Sequence, residues 1–326
     1  MTELKLYPDK KICGVSPLLY GIFFEDINYG GDGGLYAELI ANRSFDYYDR
    51  DNTADLRAMC WDALKGTGFS VNEKNSAAIN GGKNCGIRNR GFCGEGIFVR
   101  RGEDFDFAYS RLRQNKDMAY AVDEHFYKEP EWFFGHTDRY DGYDRTLPKV
   151  FIGEYAAHTS GNISDRRNNW YAALSEAAFL TGVERNGDHV VMACYAPLFG
   201  RIGHSQWQPN LIWFDKSASY GTPSFFVQKL FAEFLPDSVI GHECGDGSIK
   251  ISAGIKDGKL IVKLVNISGD EKSIVLPEAL CGARVTELFG NPGDENSVSE
   301  TKISPAGYML SGNTVSLKPY SVTVCF

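Results

Sequence analysis

The stretch Lys149-Val-Phe-Ile-Gly-Glu-Tyr155 sets an apolar run against a single carboxylate followed by an aromatic residue. Val150, Phe151 and Ile152 read as a strand buried on both faces, the pattern of a parallel sheet covered by helices. Gly153 lets the backbone bend, and Glu154 then lands at the carboxyl end of the strand, where barrel enzymes place their chemistry. Taken alone, an acid at such a position is more often a solvated loop residue than a reactive group.

Working outward, strand-like and helix-like segments alternate from Met118 to Phe234: Met118 to Asp123, a helix-prone Glu131 to His136, Val150 to Gly153, the Ala-rich helix Trp170 to Thr181, His189 to Tyr195, and a helix from Phe225 to Phe234. That alternation is the α/β signature. Nearer the start, residues 1 to 16 read as one or two short strands and Leu18 to Ile27 as a buried strand. The Gly30-Gly-Asp-Gly-Gly34 loop reads as a sharp turn into a helix over Leu35 to Ala41, since it lacks the phosphate-loop lysine and carries Asp32. From Asp46 to Arg113 the texture is β-prone, with Gly94 to Arg100 and Asp104 to Tyr109 as examples. Beyond Pro236, period-two runs such as Lys259 to Asn266 and Ser316 to Phe326 predict a β-sandwich.

Length and charge narrow the function classes. The chain has 326 residues, 43% apolar and 23% charged, room for two or three domains. Its 34 basic and 42 acidic residues give a net charge of -8 and are interleaved, which argues against nucleic acid or an anionic membrane as partner. There is no 18-residue apolar run, and the opening Met1 to Pro8 has no apolar core of signal-peptide length, so the expectation is a cytoplasmic protein. Eight cysteines without a C-x-x-C pair and six histidines without ligand spacing predict neither a metal nor a cofactor. An aromatic content of 13% suits sugar stacking, though a large aromatic core gives the same count.

Four stretches then carry a family resemblance. Tyr20-Gly-Ile-Phe-Phe-Glu-Asp-Ile-Asn-Tyr-Gly-Gly-Asp-Gly-Gly-Leu-Tyr-Ala-Glu-Leu-Ile-Ala-Asn-Arg-Ser-Phe45 resembles the opening of an α-L-arabinofuranosidase of glycoside hydrolase family 51. Val122-Asp-Glu-His-Phe-Tyr127 resembles the sixth strand of that family's (β/α)8 barrel, and Val150 to Tyr155 the seventh. Asn210 to Asp215, Tyr220 to Ser224 and the remainder to Phe326 resemble the eighth strand, last helix and C-terminal β-sandwich. The resemblance implies release of terminal arabinofuranose from arabinose-containing polysaccharides or oligosaccharides by a retaining mechanism. It implies Glu154 as nucleophile, His125 and Tyr127 as its positioning partners, and Glu25 as the acid that grips sugar hydroxyls. Trp207 and Asn210 are implied to line the sugar pocket, and homo-oligomers are expected because family members often associate.

The likeness is interrupted near Arg113-Gln-Asn-Lys-Asp117. The expected organisation is therefore α/β plus all-β. Residues 1–45 hold N-terminal strands and a first barrel-like unit, and 46–113 part of a carbohydrate-binding-like β insert. Residues 114–235 hold the last part of an incomplete barrel, and 236–326 the sandwich. A full barrel takes about 250 residues, whereas Met118 to Phe234 is 117 residues, enough for three strand–helix units, with Ile22 to Glu25 adding a strand. Open edges of such a sheet are a liability that the β-rich segment or a second subunit could cover. The family's Gly-Asn-Glu acid/base motif is absent. Asn72-Glu73 is the only Asn-Glu pair, and no strand ending in glycine precedes it. Glu124, beside His125, points to the opposite strand face. The expectation is thus an impaired glycosidase, with a non-catalytic arabinose-binding or structural protein as the alternative.

Overall fold

The computed structural model describes residues 2–25, 58, 61–72, 76–81, 86–89, 120–203, 205, 207–215 and 217–326. The Gly30 to Gly34 loop, the helix over Leu35 to Ala41, the segments Gly94 to Arg100 and Asp104 to Tyr109, the junction at 113–117 and Glu73 lie outside the described residues. The chain divides into two compact units, one of residues 1–35 and 105–326, the other of residues 36–104. In the smaller unit, Thr67–Val71 pairs antiparallel with Ala77–Gly81, and Trp61–Ala63 with Ile87–Asn89.

The larger unit holds a parallel sheet of β2 (Tyr20–Ile22), β3 (Ala121–Lys128), β4 (Lys149–Ala157) and β5 (Val190–Tyr195), in the order β2-β5-β4-β3. The strand beside β4 is thus Val190–Tyr195. Ile212–Phe214, expected as the eighth barrel strand, belongs to a separate three-stranded sheet with Phe199–Arg201 and Ser219–Gly221. Both segments are apolar, and only pairing separates them. The expectation of a buried strand over Leu18 to Ile27 is also corrected: among its described residues only Tyr20–Ile22 pair, and Leu18 and Ile22 are exposed at 65% and 74%. Among the described residues β2 and β3 are the outer strands, so one flank of each has no partner strand there.

Three helices accompany this sheet, α1 (Pro130–Gly135), α2 (Trp170–Arg185) and α3 (Pro223–Glu233). Asn169 caps α2, its side chain accepting from the Ala172 N–H, and Thr222 caps α3 in the same way from Phe225. Every residue of α2 except Tyr171 and Arg185 is buried, because the helix packs on β4 on one side and on the sandwich on the other. An all-round apolar helix is what such a central position requires.

The sandwich is one curled nine-stranded sheet in the order Ala306–Met309, Arg284–Phe289, Ser321–Cys325, Lys259–Asn266, Ile249–Lys256, Ser238–Cys244, β1 (Thr2–Gly14), Lys272–Val275 and Thr314–Leu317. Residues 1 to 16, expected as one or two short strands, supply β1 to the sandwich. This strand pairs antiparallel with Ser238–Cys244 and parallel with Lys272–Val275, and buries Leu4 in the sandwich core. The run Ser316 to Phe326 is two strands rather than one. Pro319 has no N–H to donate, and Tyr320 takes a positive φ of 48° at the turn between them. A buried ion pair ties the layers together: Lys263 of the sandwich meets Glu184 of α2, which also accepts from Ser252 and, at 2.8 Å, from the Tyr20 hydroxyl of β2.

Candidate active site

The site grows out of the pairing of β3 with β4. The two strands run in register until Glu124 faces Ile152, then shift by one residue so that His125 faces Glu154. The extra residue is Gly153. A β-carbon there would lie 2.2 Å from Asp123 Oδ1 and 2.9 Å from His125 Nε2, so any other residue would push both side chains from these positions. The Gly153 N–H donates to Asp123 Oδ1 at 3.0 Å. On β3, period two puts Asp123, His125 and Tyr127 on one face and Val122, Glu124 and Phe126 on the other.

The bulge brings both oxygens of Glu154 to donors on β3. The Tyr127 hydroxyl donates to Oε2 at 2.8 Å, and His125 Nδ1 stands 3.3 Å from Oε1. The other imidazole nitrogen, Nε2, lies 2.8 Å from Asp123 Oδ2. Partial burial pulls the His125 pKa down, but the hydrogen bond with Asp123 and the charges of Glu154, Asp123 and Glu25 together outweigh it, so the net shift is upward. For Tyr127, burial comes first, followed by the charge and hydrogen bond of Glu154 and the charge of Glu25; together they hold the phenol far above its usual range, and it remains a donor. The charge of Glu25, just past β2, thus acts on both His125 and Tyr127. The acid on the opposite face, Glu124, is buried with Arg139 at 3.2 Å and the hydroxyls of Tyr140 and Tyr143 at 3.0 and 3.4 Å. Burial raises its pKa, and it serves the core.

A wall stands beside Tyr127. The His158 ring stacks on it at 5.0 Å, and Trp207 meets it edge-on at 5.4 Å. Arg166 lies 4.7 Å over the Trp207 ring and donates to the carbonyls of Ser160 and Gln208, each at 3.1 Å. Burial and the Arg166 charge push His158 down to about 4, so this imidazole is neutral at ordinary pH. Asn210 sits beneath the wall rather than in it. It is fully buried, its side-chain amide donates to the Trp207 carbonyl at 2.8 Å, and it presses on Gly200, where a β-carbon would come within 2.6 Å of Nδ2.

Of the six residues singled out in sequence, His125, Tyr127 and Glu154 converge, Glu25 acts on the first two through its charge, Trp207 joins through Tyr127, and Asn210 supports Trp207. Asp123, His158 and Arg166 were not singled out. Asp123 shares the period-two face of His125, a signal that was available, whereas His158 and Arg166 lie beyond β4, where no local pattern reports their contacts. Among the described residues there is no cluster of His, Cys, Asp and Glu able to hold a metal ion.

A parallel sheet with helices joined to a β-sandwich is a fold shared with glycoside hydrolases of known structure. The arabinose-bound MgGH51 α-L-arabinofuranosidase is 28% identical, with a TM-score of 0.59 over 68% of this chain and 41% of that one. The GH51 α-L-arabinofuranosidase of Thermotoga petrophila shares the fold at 17% identity, with a TM-score of 0.55 over 69% of this chain and 56% of the other. Residues 153–321 match the α-L-arabinofuranosidase C-terminal domain model, and the chain belongs to the α-L-arabinofuranosidases of glycoside hydrolase family 51. The extracellular exo-α-L-arabinofuranosidase of Streptomyces chartreusis is 46% identical over 140 residues, 43% of this chain and 16% of that protein. α-L-Arabinofuranosidase 2 of Arabidopsis thaliana is 34% identical over 191 residues, 54% of this chain and 28% of that one. The chain thus spans less than a third of the length of these two relatives.

Proposed function

We propose that the chain carries the nucleophile half of a retaining α-L-arabinofuranosidase, with its four parallel strands a part of a (β/α)8 barrel. The observation that carries this reading is that each oxygen of Glu154 has its own donor on β3, Tyr127 at 2.8 Å and His125 at 3.3 Å. A nucleophilic carboxylate has to be aimed, and two fixed donors do that. In the proposed reaction a Glu154 oxygen attacks the anomeric carbon of arabinofuranose. The bond to the leaving oxygen breaks, and its electron pair departs with that oxygen. Water or another nucleophile then attacks the same carbon and releases Glu154 as carboxylate. The aromatic wall of Tyr127, His158 and Trp207 supplies ring surface for a sugar.

The sequence has no Gly-Asn-Glu motif to protonate the leaving oxygen, and loss of that help costs about 10²- to 10⁴-fold. Substrates with good leaving groups suffer least, and arabinose-containing polymers most. The test is release of phenol from an activated aryl α-L-arabinofuranoside, with and without azide, beside Glu154→Ala. Release that needs Glu154 and is accelerated by azide is the expected result. Release equal to the Glu154→Ala control would leave a protein that binds arabinose-containing saccharides without cleaving them.

A further inference from the structure

Asp123 makes two contacts that no account of Glu154 alone requires. One oxygen accepts from Gly153 N–H, at the bulge next to the nucleophile, and the other faces His125 Nε2. Both nitrogens of His125 therefore point at carboxylate oxygens, Asp123 at 2.8 Å and Glu154 at 3.3 Å. An ionised carboxylate only accepts, so the arrangement is satisfied only when both nitrogens carry protons. A neutral ring would turn a lone pair toward one of the two acids.

We propose that Asp123 is a positioning residue for Glu154, pinning the Gly153 bulge with one oxygen and holding His125 as the imidazolium with the other. The inference deepens the proposed function and rests on it for its catalytic meaning. Asp123 touches no reacting atom; it acts through Gly153 and His125. The charged groups facing His125 are Asp123 on its own strand, Glu154 on β4 and Glu25 beyond β2. Asp123 and His125 are about half and two-fifths exposed, at 47% and 40%, so water damps their attraction and the hydrogen-bond geometry does most of the holding.

Asparagine separates the two contacts by chemistry. Its Oδ1 can still accept from Gly153 N–H, while its amide donates to a neutral His125 instead of fixing the cation. The experiment follows the six histidines by NMR titration with ring-labelled histidine, with His125→Gln to assign the signal, in the parent, Asp123→Asn and Asp123→Ala. The expected result is a lower His125 midpoint in both Asp123 variants. In the aryl-arabinoside assay, Asp123→Ala loses roughly ten- to a hundredfold in kcat with little change in KM, and Asp123→Asn recovers part of the loss because the bulge contact survives. An unchanged His125 midpoint in Asp123→Asn overturns the proposal. The titration needs no turnover, so it decides the role of Asp123 even if Glu154-dependent release is absent, the outcome that would remove the functional reading instead.

Discussion

The Tyr127 hydroxyl reaches Glu154 Oε2 at 2.8 Å from the neighbouring strand, two residues beyond His125, which the one-residue bulge at Gly153 sets opposite Glu154. The contact joins a neutral donor to a charged acceptor, a pairing stronger than one between neutral groups.

Removing that hydroxyl is therefore expected to act on the chemical step. Tyr127→Phe keeps the ring against His158 and Trp207 and deletes one hydrogen bond to the carboxylate, worth roughly 1.5–3 kcal/mol. Glu154-dependent aryl release should fall about 10- to 100-fold, with KM nearly unchanged. A larger rise in KM than fall in kcat would show that Tyr127 serves binding alone.

The ion pair between the layers gives a stability prediction. Lys263 and Glu184 are 1% and 0% exposed, and the ammonium also donates to the Phe231 carbonyl at 3.2 Å. Lys263→Met leaves a buried carboxylate without its counter-ion and should cost about 3–5 kcal/mol in urea denaturation. Adding Glu184→Leu should restore most of it, since an apolar pair of similar volume is often as stable. A double variant no better than Lys263→Met would contradict this.

Glu176 of α2 predicts a fall in stability at alkaline pH. It is fully buried and accepts from Ala157 N–H at 2.9 Å, and burial pushes its pKa up to about 8. The unfolded acid ionises near its usual value while the folded one stays neutral. Its contribution is therefore complete below about pH 4.5, declines as pH rises, and is gone above about 8, with a slope of at most about 1.4 kcal/mol per pH unit. Glu176→Gln removes the slope. The stability difference between variant and parent should grow from pH 5 to 8 and then level off; a difference independent of pH would refute the assignment.

His189 has the opposite sign. The ring is buried against Tyr143, neither nitrogen has a hydrogen-bond partner among the described residues, and burial with the charges of Arg145 and Lys149 pushes its pKa down to about 4. Between about pH 6.5 and 4 the unfolded ring takes up a proton that the folded ring refuses, so stability is full above 6.5 and is lost as pH falls. His189→Leu should melt at higher temperature than the parent at pH 5, with a smaller gain at pH 7. Equal gains at both values would remove His189 from the acid response.

Glu154 stood out at the end of an apolar strand, whereas its role and those of His125 and Tyr127 came from the family resemblance; period two only put His125 and Tyr127 on one strand face. The helices α1 to α3 were legible locally, each placed within a few residues of its observed ends. What local pattern could not carry was pairing at a distance. β1 joins the sandwich through partners more than two hundred residues away, and Val190–Tyr195 rather than the equally apolar Ile212–Phe214 lies beside β4. Leu18 and Ile22 read as buried because they are apolar, yet both are exposed next to an outer strand of the described sheet. Asp123 drew no reading beyond ending a strand-like run, since the bulge that makes its carboxylate useful is a shift of register and has no signature beyond a glycine.

The most direct measurement of the central claim is intact-mass and peptide mapping of the folded chain after reaction with a slowly turned-over 2-fluoro arabinofuranosyl reagent bearing a good leaving group. One added sugar on the peptide containing Glu154, absent from Glu154→Ala, is the result the account predicts. No adduct, or an adduct on another residue, would contradict it.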